Sequence, residues 1–88
     1  MPKIPGWSVT EQRNVSDVLG LRGTVYEWTH DVTGETVTIE YDREVDGAEF
    51  YVVRFPTREY GDLSGNTLDH AHSIATNFMK RHPAGVDF

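Results

Sequence analysis

The sequence of 88 residues contains no cysteine, only two lysines and no long apolar run. Without cysteine, neither a disulfide framework nor a thiolate metal site can support the small core. No apolar stretch reaches the ~20 residues of a membrane-spanning helix, and Met1–Gly6 lacks the apolar core of a secretory signal. We therefore expect a cytoplasmic protein without membrane contact, whose core rests on its aliphatic side chains and ten aromatic residues.

The charge is one-sided, with 14 acidic against 8 basic residues and a formal net charge of −6. This acidic, lysine-poor composition resembles that of small uncharacterised acidic proteins of halophilic archaea. At about 1 M salt the Debye length is only ~3 Å, so acidic self-repulsion is screened while the excess charge maintains solubility. The resemblance implies a cytoplasm of high potassium concentration and no particular activity. The alternative is an ordinary acidic protein that has few lysines by chance.

Three segments have the composition and alternation of β-strands. Val37, Ile39 and Tyr41 alternate with polar residues, which predicts a strand with one buried and one solvated face. Turn residues ending in Gly34 and at Asp46–Gly47 separate the segments by short connections, so an antiparallel meander is expected. The predicted strands are Thr24–His30, Glu35–Asp42 and Glu49–Phe55, and Trp7–Arg13 is a candidate short edge strand.

An amphipathic helix is predicted at Leu68–Arg81, where apolar residues recur at helical spacing. Asn66 or Thr67 is the candidate N-cap, because both side chains can accept a hydrogen bond from the first turn. Pro83 prevents the helix from continuing. A loop over residues 57–66 is expected to connect the last predicted strand to this helix.

These elements predict a single α+β domain over residues 1–88. Its architecture is a three- or four-stranded antiparallel meander with one C-terminal helix packed on one face. The segment Asn14–Gly23 has two interpretations, a short helical turn near 16–21 or an extended stretch. The termini, 1–6 and 84–88, are expected to be flexible. The expected core consists of Tyr26, Trp28, Val37, Ile39, Tyr41, part of Phe50–Phe55, and the helix positions Leu68, Ala71, Ala75 and Phe78.

No chemical site stands out in the sequence. His70 and His72 lie two residues apart, so on a helix they point ~200° away from each other and cannot share a metal ion. The glycine-containing loop before the helix lacks the lysine of a phosphate-binding loop, and Ser64 lies outside a nucleophile elbow. We therefore predict no catalytic residue, no metal site and no cofactor, and we interpret the chain as not being an enzyme.

The segment Phe50–Tyr60 interleaves aromatic residues with arginines, which are enriched at interface hot spots. The leading interpretation is a small non-enzymatic binding or protein-interaction module, whose partner is an unknown protein or a second copy. A homodimer would form through the last strand of the meander or the aromatic face of the sheet. The alternative is that the N-terminal segment around Trp7 buries both faces. The expected partner-binding residues are Tyr51, Arg54, Phe55, Arg58 and Tyr60.

A short helix, a three-stranded meander and a C-terminal helix form an order that resembles the topology of double-stranded-RNA-binding domains. Those domains carry basic lysines at the start of their last helix, where this chain has Asn66–His70. The resemblance therefore implies a topology and no RNA-contacting residue. Nucleic-acid binding through a local basic patch is the alternative function, and a minor metal-binding or enzymatic role is the third. The patch would consist of Arg54, Arg58, Lys80 and Arg81.

Overall fold

A computed structural model describes residues 4–14, 23–43, 47–56, 63–65 and 67–86 of the chain. β-Branched and aromatic residues dominate its longer strands, because such side chains pack well on a pleated, half-buried surface. The elements are β1 (Trp7–Gln12), β2 (Gly23–His30), β3 (Thr36–Arg43), β4 (Glu49–Arg54), β5 (Leu63–Gly65) and helix α1 (Leu68–Arg81).

The strands form one antiparallel sheet whose spatial order, β1-β2-β3-β4-β5, follows the order along the chain. Cross-strand pairs place Trp28 opposite Val37 and Ile39 opposite Val53. Directly opposite residues point to the same side of a sheet, so these pairs define one apolar side, here named the inner face. The other side, named the outer face, carries the alternate residues of each strand.

Two β-bulges interrupt this alternation near the N-terminal edge of the sheet. The register shifts at Thr10 in β1 and at Val25 in β2. The second bulge turns Val25 toward the inner face beside Tyr26, and Val25 is fully buried. Regular alternation would place Val25 on the outer face with Glu27 and Thr29, and the extra residue of the bulge is the reason for the difference.

Helix α1 packs on the inner face over β3, β4 and β5. The Thr67 side chain accepts a hydrogen bond from the backbone N–H of His70 at 3.1 Å, and such a cap contributes about 1 kcal/mol to helix stability. Asp69 in the first turn and both Lys80 and Arg81 in the last turn have the charges that the helix dipole favours. Local sequence signals therefore determine both ends of α1.

The core lies between the inner face and α1. Ala71 and Ala75 are small enough to let the helix approach the sheet, and the Phe78 ring lies 6.5 Å from Trp7 and 4.6 Å from Phe55. Trp7 comes from the edge strand β1, so the core extends across the sheet. The buried hydrophobic residues are Trp7, Val25, Trp28, Val37, Ile39, Tyr41, Tyr51, Val53, Ala71, Ala75, Phe78 and Met79.

The α+β class, the antiparallel meander and the C-terminal helix Leu68–Arg81 are confirmed. The sheet continues past its four longer strands through β5, which lies in the segment that the sequence predicts as a loop, 57–66. The predicted helical turn near 16–21 lies outside the described residues. Ile4 and Val86, from the terminal segments predicted to be flexible, pack against the core.

Candidate functional site

The outer face is the candidate interaction surface, because α1 packs on the opposite side of the sheet. Its described residues combine hydroxyl groups, carboxylates, apolar side chains and arginine, a mixture able to surround an apolar contact with polar ones. Strands β1 and β2 contribute Ser8, Thr10, Glu11, Thr24, Glu27 and Thr29, and strands β3 and β4 contribute Thr36, Thr38, Glu40, Asp42, Phe50, Val52 and Arg54.

Hydroxyl groups position the polar side chains of β1 and β2. Thr10 Oγ1 donates a hydrogen bond to Glu27 Oε1 at 2.7 Å and lies 2.9 Å from Thr29 Oγ1. Ser8 Oγ donates to Asp31 Oδ1 at 2.5 Å at the end of the same pair of strands. Side chains already held in this way lose less conformational entropy when a partner binds.

Among the described residues, the four strands β1–β4 place four carboxylates and the guanidinium of Arg54 on the outer face. Arg54 forms an ion pair with Glu40 on the neighbouring strand, and Arg13, just beyond β1, pairs with Glu11 at 2.8 Å. Glu11 stands directly opposite Glu27 across β1 and β2, and like charges in that position destabilise a sheet. The outer face is therefore an acidic surface with internal repulsion.

Phe50 and Val52 form the apolar part of the outer face, and both are partly buried. Each lies beside a carboxylate of β3, since Phe50 is opposite Asp42 and Val52 is opposite Glu40. Full burial of one such side chain by a partner contributes ~1.5–3 kcal/mol. These two residues are the part of the surface from which a contact would gain hydrophobic free energy.

The predicted partner-binding residues do not share one face. Tyr51 is only 8% exposed in the core, and Phe55 also packs against the core. Arg54 points to the outer face, where it contacts a carboxylate of β3. The sheet therefore separates Arg54 from both aromatic residues, and the residues of β4 that share the outer face with Arg54 are Phe50 and Val52. Arg58 and Tyr60 lie outside the described residues.

Strand β4, the last long strand of the meander, does not form an edge of the sheet. Strand β5 pairs with it along residues 51–53. A dimer made by adding a second copy to the edge of β4 would have to displace β5. Strand β1 is an edge strand, but its bulge at Thr10 and its charged Glu11 are features that oppose the addition of another strand.

The described residues of the alternative nucleic-acid patch fall into two groups. Lys80 and Arg81 are exposed in the last turn of α1. Arg54 lies on the outer face and contacts Glu40. The sheet and the core lie between these two groups, so their charges do not form one surface. Arg58, the fourth predicted residue of the patch, lies outside the described residues.

The sequence pattern predicts no site at His30, yet this side chain is only 4% exposed and both ring nitrogens are hydrogen-bonded. Its Nδ1 accepts hydrogen bonds from the backbone N–H groups of Val32 and Thr33, at 3.2 and 3.1 Å. Nε2 must therefore carry the proton, which it donates to the Pro83 carbonyl oxygen at 2.9 Å. No local pattern could reveal this role, since Pro83 lies 53 positions away in sequence.

Trp7 makes a second link to the segment that follows α1. Its indole N–H donates to the His82 carbonyl oxygen at 2.9 Å, and its ring meets the His30 ring edge-on at 5.0 Å. Gly6 has a φ of +85° and lies so close to Pro83 that a Cβ atom would overlap the Pro83 carbonyl oxygen. Gly6, Trp7, His30, His82 and Pro83 are named the terminal clasp below.

His72 packs against aromatic rings rather than with His70. Its ring centroid lies 5.3 Å from those of both Tyr26 and Trp28, in edge-on arrangements. Within the described ranges, its buried Nε2 atom has no hydrogen-bond partner. Among the same residues, no three histidine, aspartate or glutamate side chains gather where they could hold a metal ion.

Two side chains have raised pKa values, one at the end of β3 and the other near the start of β4. Burial raises the pKa of the Tyr51 hydroxyl, and the Glu49 carboxylate adds to this effect. A hydrogen bond to the Tyr41 hydroxyl, at 3.1 Å, raises the pKa of Arg43. Both shifts move the group further from neutral pH, which is the opposite of what a general acid or base requires.

In the part of the chain that the structure describes, no helix is long and apolar enough to cross a membrane. No known protein family, curated protein or solved structure matches the chain. Among the described residues, the outer face brings apolar, acidic, hydroxyl and arginine side chains together on one surface.

Proposed function

We propose that the chain is a small non-enzymatic binding module that recognises another protein through the outer face of its sheet. The observation that supports this proposal most directly is the position of Phe50 and Val52. They place apolar surface on the side of the sheet opposite α1, where they do not contribute to the buried core. The proposal includes a cytoplasmic location.

Arg54 belongs to the same contact surface, two residues from Val52 on β4. Its side chain is 53% exposed and is oriented by the ion pair with Glu40. A guanidinium presents several donors in a rigid plane, and a pre-oriented one loses little rotamer freedom on binding. Arginine is also enriched among residues that dominate binding energy at protein interfaces.

A protein partner suits the outer face better than nucleic acid does. Binding to nucleic acid draws its affinity from lysine and arginine contacts to phosphate. The carboxylates of the outer face would repel phosphate, and Lys80 and Arg81 lie on the helix on the other side of the sheet. A second copy of this chain remains an alternative protein partner, which the experiment below distinguishes.

Native mass spectrometry of the tagged protein from a high-salt lysate of a halophilic host tests the proposal. We would compare the wild type with Val52→Lys, which introduces a charge into the apolar part of the outer face. Val32→Lys is the matched control, because Val32 is 88% exposed in the turn between β2 and β3. The wild type and Val32→Lys should retain the same protein adduct, and Val52→Lys should lose it. Circular dichroism checks that both variants fold.

The mass of the adduct, and its loss or retention in Val52→Lys, distinguish the possible partners. An adduct of one further chain mass that is lost in Val52→Lys identifies a second copy as the partner. A protein adduct that Val52→Lys retains contradicts the outer face as the contact surface. A nucleic-acid adduct contradicts a protein partner. A bare monomer at every concentration contradicts a stable complex of any kind.

A further inference from the structure

We infer that the partner of the outer face is a protein surface with lysine or arginine side chains around an apolar group. This inference rests on the proposed function, because it specifies the chemistry of the partner at the same surface. A positive partner surface would speed association with an acidic one and discourage wrong partners. In the described strands, the carboxylates of the outer face are Glu11, Glu27, Glu40 and Asp42.

Glu27 gives the first argument for a cationic partner. It faces Glu11 directly across β1 and β2, and only Glu11 has an arginine beside it, Arg13. In the described part of the chain, no lysine or arginine forms an ion pair with Glu27. A basic side chain of a partner placed between these carboxylates would form charge-assisted hydrogen bonds and also relieve their repulsion.

The pairing of β3 with β4 gives the second argument. Val52 lies opposite Glu40, and Phe50 lies opposite Asp42, so an apolar side chain and a carboxylate stand next to each other twice. Lysine and arginine side chains have an aliphatic stem and a charged end, and they cover apolar surface while the charge remains in a polar environment. A basic side chain lying across β3 and β4 would cover the apolar member of each pair with its stem and place its charge beside the carboxylate.

A second copy is a poor occupant of this surface. In a two-fold dimer the same patch meets itself, so the carboxylates of one copy would approach those of the other. Among the described residues, the guanidiniums at the outer face already contact carboxylates of the same chain, Arg54 with Glu40 and Arg13 with Glu11. The charge of the outer face therefore favours a different protein of opposite charge over self-association.

The test is a nuclear magnetic resonance titration of the full chain with an oligolysine peptide at low salt, with oligoglutamate as the control peptide. Glu27→Gln and Asp69→Asn form a matched pair, because each removes one negative charge. Asp69 is exposed in the first turn of α1, on the other side of the sheet.

Oligolysine should shift the amide signals of Glu27, Thr38 and Val52 most strongly. Glu27→Gln should weaken binding about two- to fivefold, and Asp69→Asn by clearly less.

Equal weakening by the two substitutions, or shifts as large on α1 as on the outer face, would mean that oligolysine responds to net charge alone and would overturn the inference. Failure of the proposed function is seen separately, when Val52→Lys retains the natural adduct. If Val52→Lys releases a partner whose contact surface is acidic or uncharged, the binding function stands and a cationic partner is contradicted.

Discussion

The inner and outer faces of the sheet are built from alternate residues of the same strands, yet they differ in how deeply their side chains are buried. Ile39 and Val53 face each other on the inner side and are fully buried. Their chain neighbours Glu40 and Val52 face each other on the outer side and are only partly buried. The inner face packs against α1, whereas the outer face lies on the opposite side of the sheet. Substitutions on the two faces should therefore separate effects on stability from effects on binding.

Replacing Phe78 by alanine should have the largest effect on stability. Phe78 is 1% exposed, so the shortened side chain leaves a cavity beneath the sheet and should lower the free energy of unfolding by about 3–5 kcal/mol. On the outer face, Val52→Ala should cost less than about 1 kcal/mol, because Val52 is only partly buried. Urea-induced unfolding measures both values. Equal losses of unfolding free energy in Phe78→Ala and Val52→Ala would contradict the difference in packing between the two faces.

His30→Ala should have the second largest effect, about 2–4 kcal/mol, because buried groups that pair with the imidazole lose their partner. Thr29→Val, one residue away but on the outer face, should cost only about 0.5–1 kcal/mol, because it removes one exposed hydrogen bond with Thr10. Hydrogen exchange adds a local readout, since the Val32 and Thr33 amides bond to His30 and should exchange faster in His30→Ala alone. Unchanged exchange at both amides would contradict their hydrogen bonds to His30.

Two glycine substitutions compare a turn that packs against another segment, at Gly6, with a turn that has open space around it, at Gly34. Gly6 and Gly34 both have positive φ, at +85° and +75°, but only Gly6 has a neighbour that a Cβ would overlap. Gly34→Ala should cost about 1 kcal/mol for the backbone conformation alone. Gly6→Ala should cost about 2–3 kcal/mol, because the Pro83 carbonyl must also move. Thermal unfolding of both variants measures the difference, and equal melting temperatures would place Pro83 away from Gly6.

The smallest effect concerns Tyr51 at alkaline pH. Burial raises the pKa of this hydroxyl in the folded protein above its ordinary value of about 10. The folded state then retains a proton that the unfolded state has lost, so this contribution to stability is complete below that value and is lost as pH rises through the folded-state pKa. Tyr51→Phe should therefore lose less stability than the wild type above pH ~10. Identical alkaline profiles in urea unfolding would contradict a buried, protonated Tyr51.

The sequence predicted α1 well because its signals are local. A helical period of apolar residues, the capping side chain of Thr67 and the stop at Pro83 all lie within or next to the helix. The alternation of Val37, Ile39 and Tyr41 likewise identified the buried face of β3. In both elements, one side is apolar and the other polar, so the pattern also shows which side is buried.

The outer face was harder to predict because β4 is apolar on both sides. Phe50 and Val52 look as suitable for the core as Tyr51 and Val53 do, and only the pairing with β3 decides between them. The bulge at Val25 reverses the expected side of a residue without a sequence signal such as glycine or proline. These positions depend on contacts between distant parts of the chain, which local patterns do not encode.

The terminal clasp also has a consequence for how the chain acquires its fold. Each strand pairs with its neighbours along the chain, so the hairpins close short loops and should form early. The clasp bonds instead join residues 75 and 53 positions apart. During synthesis, Trp7 and His30 leave the ribosome long before the carbonyl groups that accept their hydrogen bonds. A nascent chain can therefore pair its strands in order from β1 onward, but Trp7 and His30 gain these hydrogen bonds only after His82 and Pro83 have been added.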